Sequence, residues 1–280
     1  MNPGTIRPRL QVPPGACDTH THFYHHRYKS APTAVFTPPD AWVDDYRKVR
    51  ERTGLQRVVV VQPTVYGLDN QATLDAIAAL GSSSRGVAAV PASISDADLD
   101  RLTRCGIRGA RLHMLAGGAL PWEAVDTVPA RVQDFGWHCL LQFDGREFAD
   151  REATVKRIPG MLVIDHNGKF LEPVSVDHPS FRALLRLLEN GRTWVKVAAP
   201  YETSKLGPPD YKDVGVLAKA LIRAAPDRVI WASNWPHPAS PPRVPAPDEG
   251  ALLDLLLEWA PDDATRRKIL VDNPARLYGF

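Results

Sequence analysis

The 280-residue chain has only three cysteines, Cys17, Cys105 and Cys139, and none belongs to a CxxC pair. A disulfide scaffold and a thiol-based zinc ribbon are thereby excluded, and isolated thiols fit a reducing compartment, so a cytoplasmic location is expected. No apolar stretch approaches the roughly 20 residues needed to cross a bilayer. Residues 1–14 carry prolines and two arginines but lack the apolar core of a secretory leader. A charge excess is missing as well: 34 Lys and Arg against 32 Asp and Glu leave a net charge of +2, with no basic block. Composition gives no support to nucleic-acid or membrane partners. No GxGxxG follows the first apolar run, which removes the main signature of a dinucleotide site.

What the chain does have is rhythm. Short apolar, β-branched runs recur at 16–22, 57–62, 86–91, 110–115, 138–143, 162–166, 194–198 and 229–234. Some are continuous, as in Val58-Val59-Val60-Val61, which suits strands covered on both faces. Amphipathic segments at 74–80, 97–104, 181–189 and 214–224 lie between them. Asp69-Asn70 and Ser95-Asp96 are entry signals, and Gly81, Gly106, Gly136 and Gly191 stand where helices stop. Two tail helices are expected over 252–259, capped by Asp248, and over 262–270. The alternation predicts a single (β/α)8 TIM barrel over 1–280, with a doubly wound sheet as the alternative. Two proline-rich stretches, 23–40 and 236–247, would follow strands one and eight at the C-terminal mouth, where barrel active sites lie.

Polar residues gather at the ends of these strands. His20 and His22 close the first, and their i, i+2 spacing points both the same way. Such a pair can chelate a divalent metal or flank a substrate carbonyl; the plainer alternative is a pair of core histidines. Arg111 and His113 lie on the fourth strand, Gln142 and Asp144 at the fifth, and Asp165-His166-Asn167-Gly168-Lys169 at the sixth. Lys196 lies on the seventh with Tyr201 just beyond, and Asn234 ends the eighth with His237 following. Buried Arg111 and Lys196 need anions, either a substrate carboxylate or an internal partner such as Asp18 or Asp165.

Taken together, Asp18-Thr19-His20-Thr21-His22, Gly109-Ala110-Arg111, Gln142-Phe143-Asp144-Gly145, Asp165-His166-Asn167-Gly168-Lys169-Phe170, Trp231-Ala232-Ser233-Asn234-Trp235-Pro236-His237 and Asn273-Pro274-Ala275-Arg276-Leu277-Tyr278 resemble the amidohydrolase superfamily, and within it the lactonase branch. The resemblance runs nearly end to end. It implies a barrel that works on lactones without a catalytic metal. Binuclear members use a bridging lysine or glutamate and extra histidines on strands four to six; here strand five offers Gln142, although strand six keeps His166. The family usually carries an aspartate at the strand-eight position, binding metal or taking a proton from water. Asn234 has no titratable carboxylate and does neither well. Should zinc bind, His20, His22 and His166 are its expected ligands.

The expected function is isomerisation of a sugar-diacid lactone, of the galactaro 1,5- to 1,4-lactone type, by intramolecular acyl transfer. His20, His22 and His166 would polarise the carbonyl and shuttle the proton, and Asn234 would bond the attacking hydroxyl. Arg111, Gln142, Lys169, Lys196, Tyr201 and His237 are the expected substrate-binding residues. The alternatives are a metal-independent hydrolase of a carboxylated lactone, such as a pyrone dicarboxylate, a zinc-dependent amidohydrolase, and a non-catalytic sugar-acid binder. No interface signature for a partner chain stands out.

Overall fold

The computed structural model describes residues 5–238 and 246–280. Strands β1 Cys17–Thr21, β2 Arg57–Val61, β3 Ser84–Ala88, β4 Ile107–His113, β5 His138–Gln142, β6 Leu162–Ile164, β7 Thr193–Ala198 and β8 Val229–Ala232 pair in parallel, in chain order. Thr21 bridges Trp235, and the His22 amide donates to the Trp235 carbonyl at 2.7 Å, which brings the eighth strand back beside the first. This is the expected (β/α)8 TIM barrel. The valine run of β2 shows why its strands read as continuous apolar segments: Val59 and Val61 fill the barrel with Val87, Leu140, Val163 and Ile230, while Val58 and Val60 face the helical shell.

The connecting helices are α1 Val43–Thr53, α2 Gln71–Leu80, α3 Asp96–Arg104, α4 Ala124–Val132, α5 Phe148–Arg157, α6 Pro179–Leu188 and α7 Lys212–Ala224. Ser95 caps α3 by accepting from the Asp98 amide at 3.1 Å. The tail departs from expectation. Asp248 accepts from the Gly250 and Ala251 amides, so α8 runs over Glu249–Asp254, earlier than the expected start at 252. Then follow α9 Leu256–Trp259, α10 Asp263–Arg267, a π-helical turn Lys268–Asp272 and α11 Asn273–Tyr278. Several expected strands run too far: β3 stops at Ala88 and β4 at His113, each also starting earlier than expected, while β6 stops at Ile164 and β8 at Ala232 because His166, Asn167 and Asn234 adopt left-handed backbone. Of the expected mouth loop 236–247, residues 239–245 lie outside the described residues.

The terminal motif plugs the barrel floor. Asn273 Nδ2 donates to the carbonyls of Val229 at 2.7 Å and Pro226 at 2.9 Å, and this seats Leu277 and Tyr278 against Trp194 and Ile230. His138 lies on the same floor, wholly buried, its ring edge-on to Tyr278. A Cβ at Gly109 would come within 2.6 Å of that ring, so glycine is what admits it. Burial and the charge of Lys196 push His138 down to about 3; burial and Arg111 push His113 to about 3, and burial, aided by Lys169 and Lys196, drives His166 to about 4 against the pull of Asp165 and Glu202.

These shifts fix the sign of a pH effect. Unfolding frees each histidine to protonate near 6.5, so the unfolded chain binds more protons between about pH 6.5 and 3, and stability drains as pH falls through that window. Asp18, raised by burial to about 6, runs the other way, but it is one group against five buried histidines, since His20 and His22 are lowered as well. The urea midpoint should be lower at pH 5 than at pH 7, by on the order of 2 kcal/mol in unfolding free energy. His138→Phe should remove part of that slope; an unchanged slope would show that the floor histidine does not contribute.

Candidate active site

A cleft of about 370 Å³ opens at the C-terminal mouth of the barrel, with His22, Arg111, His166, Lys169, Glu202 and Asn234 among its walls. Two wall segments meet through glycines. The Gly145 amide donates to the Lys169 carbonyl at 2.9 Å, and a Cβ at Gly145 would fall 2.3 Å from the Gly168 carbonyl oxygen. That close approach accounts for the glycines in the Gln142–Gly145 and Asp165–Lys169 motifs, and it sets His166 and Lys169 at the mouth in left-handed backbone.

The histidines form an ordered chain. His22 Nδ1–H donates to the Val61 carbonyl at 2.8 Å, which leaves Nε2 as an acceptor. His20 Nε2 lies 3.1 Å away and supplies the hydrogen, so His20 Nδ1 is itself an acceptor. The Lys196 ammonium fills it from 3.2 Å. The tautomers follow from this hydrogen-bond logic. Burial holds both imidazoles well below the usual histidine range, so both are neutral.

Asp165 completes the layer behind the cleft. Its Oδ1 lies 3.3 Å from His20 Nδ1 and 3.5 Å from His166 Nδ1, and neither carboxylate oxygen has a hydrogen-bond partner among the described residues. Burial opposes its charge, but His166, His20 and Lys196 outweigh burial and hold it well below the carboxylate range. Burial lowers Lys196 to about 8, with Asp165 pulling back, so it remains an ammonium at neutral pH.

Three of the expected substrate contacts, Lys196, Tyr201 and His237, lie outside the cleft lining. Lys196, expected on the substrate carboxylate, is wholly buried behind His20, where its ammonium meets His20 Nδ1 at 3.2 Å and its charge favours the ionised Asp165. Tyr201 and His237 support Asn234. His237 Nε2 donates to Glu249 at 2.9 Å, Tyr201 Oη donates to His237 Nδ1 at 2.9 Å, and Asn234 Nδ2 donates to Tyr201 Oη at 3.0 Å. The second amide hydrogen of Asn234 goes to Glu202 Oε1 at 3.2 Å, leaving Oδ1 buried and unbonded in the cleft wall.

Glu202 is the site residue that sequence reasoning missed. It lies in the turn Pro200–Glu202 after β7 and pairs with Lys169, so the cleft lysine already has an anionic partner. Arg111 differs. It donates to the Gln62 carbonyl at 2.7 Å and to Gln142 Oε1 at 3.4 Å, yet no carboxylate among the described residues lies within ion-pair distance, and its Nε is buried without a partner. Gln142, by accepting from Arg111, keeps its amide hydrogens for the cleft.

Residues 17–280 match the Amidohydrolase family model. The chain is 35% identical over 273 residues, covering 97% of itself and 93% of the relative, to the D-galactarolactone isomerase of Agrobacterium fabrum. It is 34% identical over 284 residues, covering 97% and 92%, to the 2-pyrone-4,6-dicarboxylate hydrolase of Comamonas testosteroni. An apo crystal structure from Agrobacterium tumefaciens superposes with a TM-score of 0.91 at 34% identity, covering 98% of each chain.

The chain belongs to the amidohydrolase family.

Metal chemistry is implied for this amidohydrolase by its fold, and the donors that come together are not the trio expected from the sequence. His20, Asp165 and His166 place one ligand atom each within 4.8 Å of the others. His22 is tied to Val61 and His20 instead. The Lys196 ammonium stands at the very nitrogen of His20 that an ion would need. With Lys196 charged, the trio does not fit a divalent cation.

Proposed function

We propose that this amidohydrolase isomerises a monocarboxylated lactone of a sugar diacid by moving its acyl group between two hydroxyls of the same molecule. The observation that carries the reading is Asn234. Both of its amide hydrogens are committed to Tyr201 and Glu202, and its Oδ1 is a buried acceptor on the cleft wall. It can orient a substrate hydroxyl but cannot take a proton from water. The charge count supports a single substrate carboxylate: Arg111 lacks an acidic partner among the described residues, and Lys169 is matched by Glu202. A diacid that has closed one lactone ring keeps one free carboxylate.

His166 is the proton carrier in this account. His20 is buried behind the wall, and both ring nitrogens of His22 are engaged. His166 lines the cleft with its Nδ1 turned toward Asp165, an arrangement that leaves Nε2 as the base. The substrate hydroxyl on Asn234 attacks the ester carbonyl and its proton passes to His166, while the carbonyl π pair moves onto oxygen. Collapse re-forms the carbonyl and breaks the original ester C–O bond, and the departing oxygen takes the proton back from His166. Holding both oxygens on one molecule can contribute about 7–11 kcal/mol toward the barrier.

The second reading, hydrolysis of a carboxylated lactone, is favoured by the same Asp165–His166 pair, which can also draw a proton from water. Asn234→Asp discriminates. It places a carboxylate against Glu202, 3.2 Å from the present amide nitrogen, so the double variant Asn234→Asp/Glu202→Gln is the cleaner probe. Either variant is expected to raise ring opening relative to isomerisation by about 10-fold or more, the range of a placed general base. A ratio that does not move would remove Asn234 from the explanation.

A further inference from the structure

His20, Asp165 and His166 bring three buried donor atoms within 4.8 Å of one another. The Asp165 oxygens and His166 Nδ1 have no hydrogen-bond partner among the described residues, although all three atoms are buried. A buried carboxylate left this way is costly unless a positive charge meets it. The spacing is also informative. Bonds of about 2.0–2.1 Å in a tetrahedron put neighbouring ligand atoms about 3.3 Å apart, and Asp165 Oδ1 lies 3.3 Å from His20 Nδ1 and 3.5 Å from His166 Nδ1. Lys196, wholly buried, brings its ammonium to His20 Nδ1 at 3.2 Å from strand β7.

We infer that Lys196 is a built-in monovalent substitute for a divalent metal, so that removing its charge turns His20, Asp165 and His166 into a zinc site. The ammonium supplies the positive charge that Asp165 requires and occupies the donor lone pair of His20. A covalently attached cation cannot be lost to chelators or exchanged for another ion. It also delivers one charge rather than two, which keeps Arg111 free of a competing dication.

The test is zinc binding by Lys196→Met, which keeps the stem and deletes the charge, and by Lys196→Ala, which also opens space. Neither requires a substrate, so the result stands apart from the lactone reading. After chelator treatment, Lys196→Met should melt lower than the wild type. Added zinc should raise its melting temperature and bind at about one ion per chain, and cobalt(II) should give the visible absorption of a tetrahedral site. The wild type should show none of these. Adding Asp165→Asn to Lys196→Met should restore stability without zinc and abolish the binding. The inference is overturned if neither lysine variant binds zinc, if neither folds with zinc present, or if the wild type binds zinc at the same residues.

Discussion

Replacing Arg111 with methionine should lower kcat/KM by about 10²–10³-fold while raising thermal stability. The guanidinium is buried with no carboxylate among the described residues within ion-pair distance, so its desolvation is met by neutral partners, the Gln62 carbonyl, Gln142 and His113 Nδ1. A buried charge held this way destabilises the empty fold and is offset when an anionic substrate arrives. Losing one partner of a buried charged pair on binding costs about 2–5 kcal/mol, which spans the stated range. Arg111→Lys should recover little, because an ammonium cannot reproduce the two-nitrogen fork that spans Gln62 and the cleft. The loss should appear mainly in KM if the carboxylate is gripped equally throughout the reaction, and steady-state kinetics with urea melts of the same preparations check both halves. A variant that is both less stable and fully active would remove Arg111 from the binding role.

His166→Gln should lower kcat by about 10²–10⁴-fold with KM nearly unchanged, as expected of a group that acts on a proton in the transition state. The pH profile carries the sharper test. Burial pushes His166 down to about 4 against the pull of Asp165, so the base is already deprotonated at neutral pH. Initial rates of kcat/KM should therefore stay level as pH falls through 6.5 and decline only near 4. An acid limb at the ordinary histidine value would show that the working base is solvated and is not this residue. Because stability also falls below pH 6.5, the rates need short exposures and a return to pH 7 to confirm that the loss reverses.

The sequence made the barrel and the inward-facing end of each strand readable, because hydrophobic alternation and strand-end position are both local. His22, Arg111, Gln142, His166 and Asn234 all stand on the cleft wall at the strand ends where the pattern put them. Depth was not readable. Lys196 faces inward as its parity demands, but it sits low enough on β7 to meet His20 rather than a substrate. Side-chain period gives the face of a strand and not the height of an ammonium above the barrel floor. Glu202 was hidden for a different reason. Ala199 adopts left-handed backbone with φ of +47°, and the turn that follows swings Glu202 toward Asn234 and Lys169. Loop trajectories of that kind carry no periodic signal. An acidic residue a few positions beyond a barrel strand is the one cue that was available. The role of Asp165 depended in turn on Lys196, so it could be posed as an internal ion pair but not placed.

The central claim is that the carbonyl is attacked by a hydroxyl of the substrate and not by water. The most direct measurement is turnover of aldaric-acid lactones by the chelator-treated protein in ¹⁸O-water, followed by carbon NMR and mass spectrometry. The account predicts conversion of a 1,5-lactone to its 1,4-lactone with no ¹⁸O in the product beyond the uncatalysed background and no net acid release. Ring-opened acid carrying one ¹⁸O per turnover would contradict it and identify water as the nucleophile.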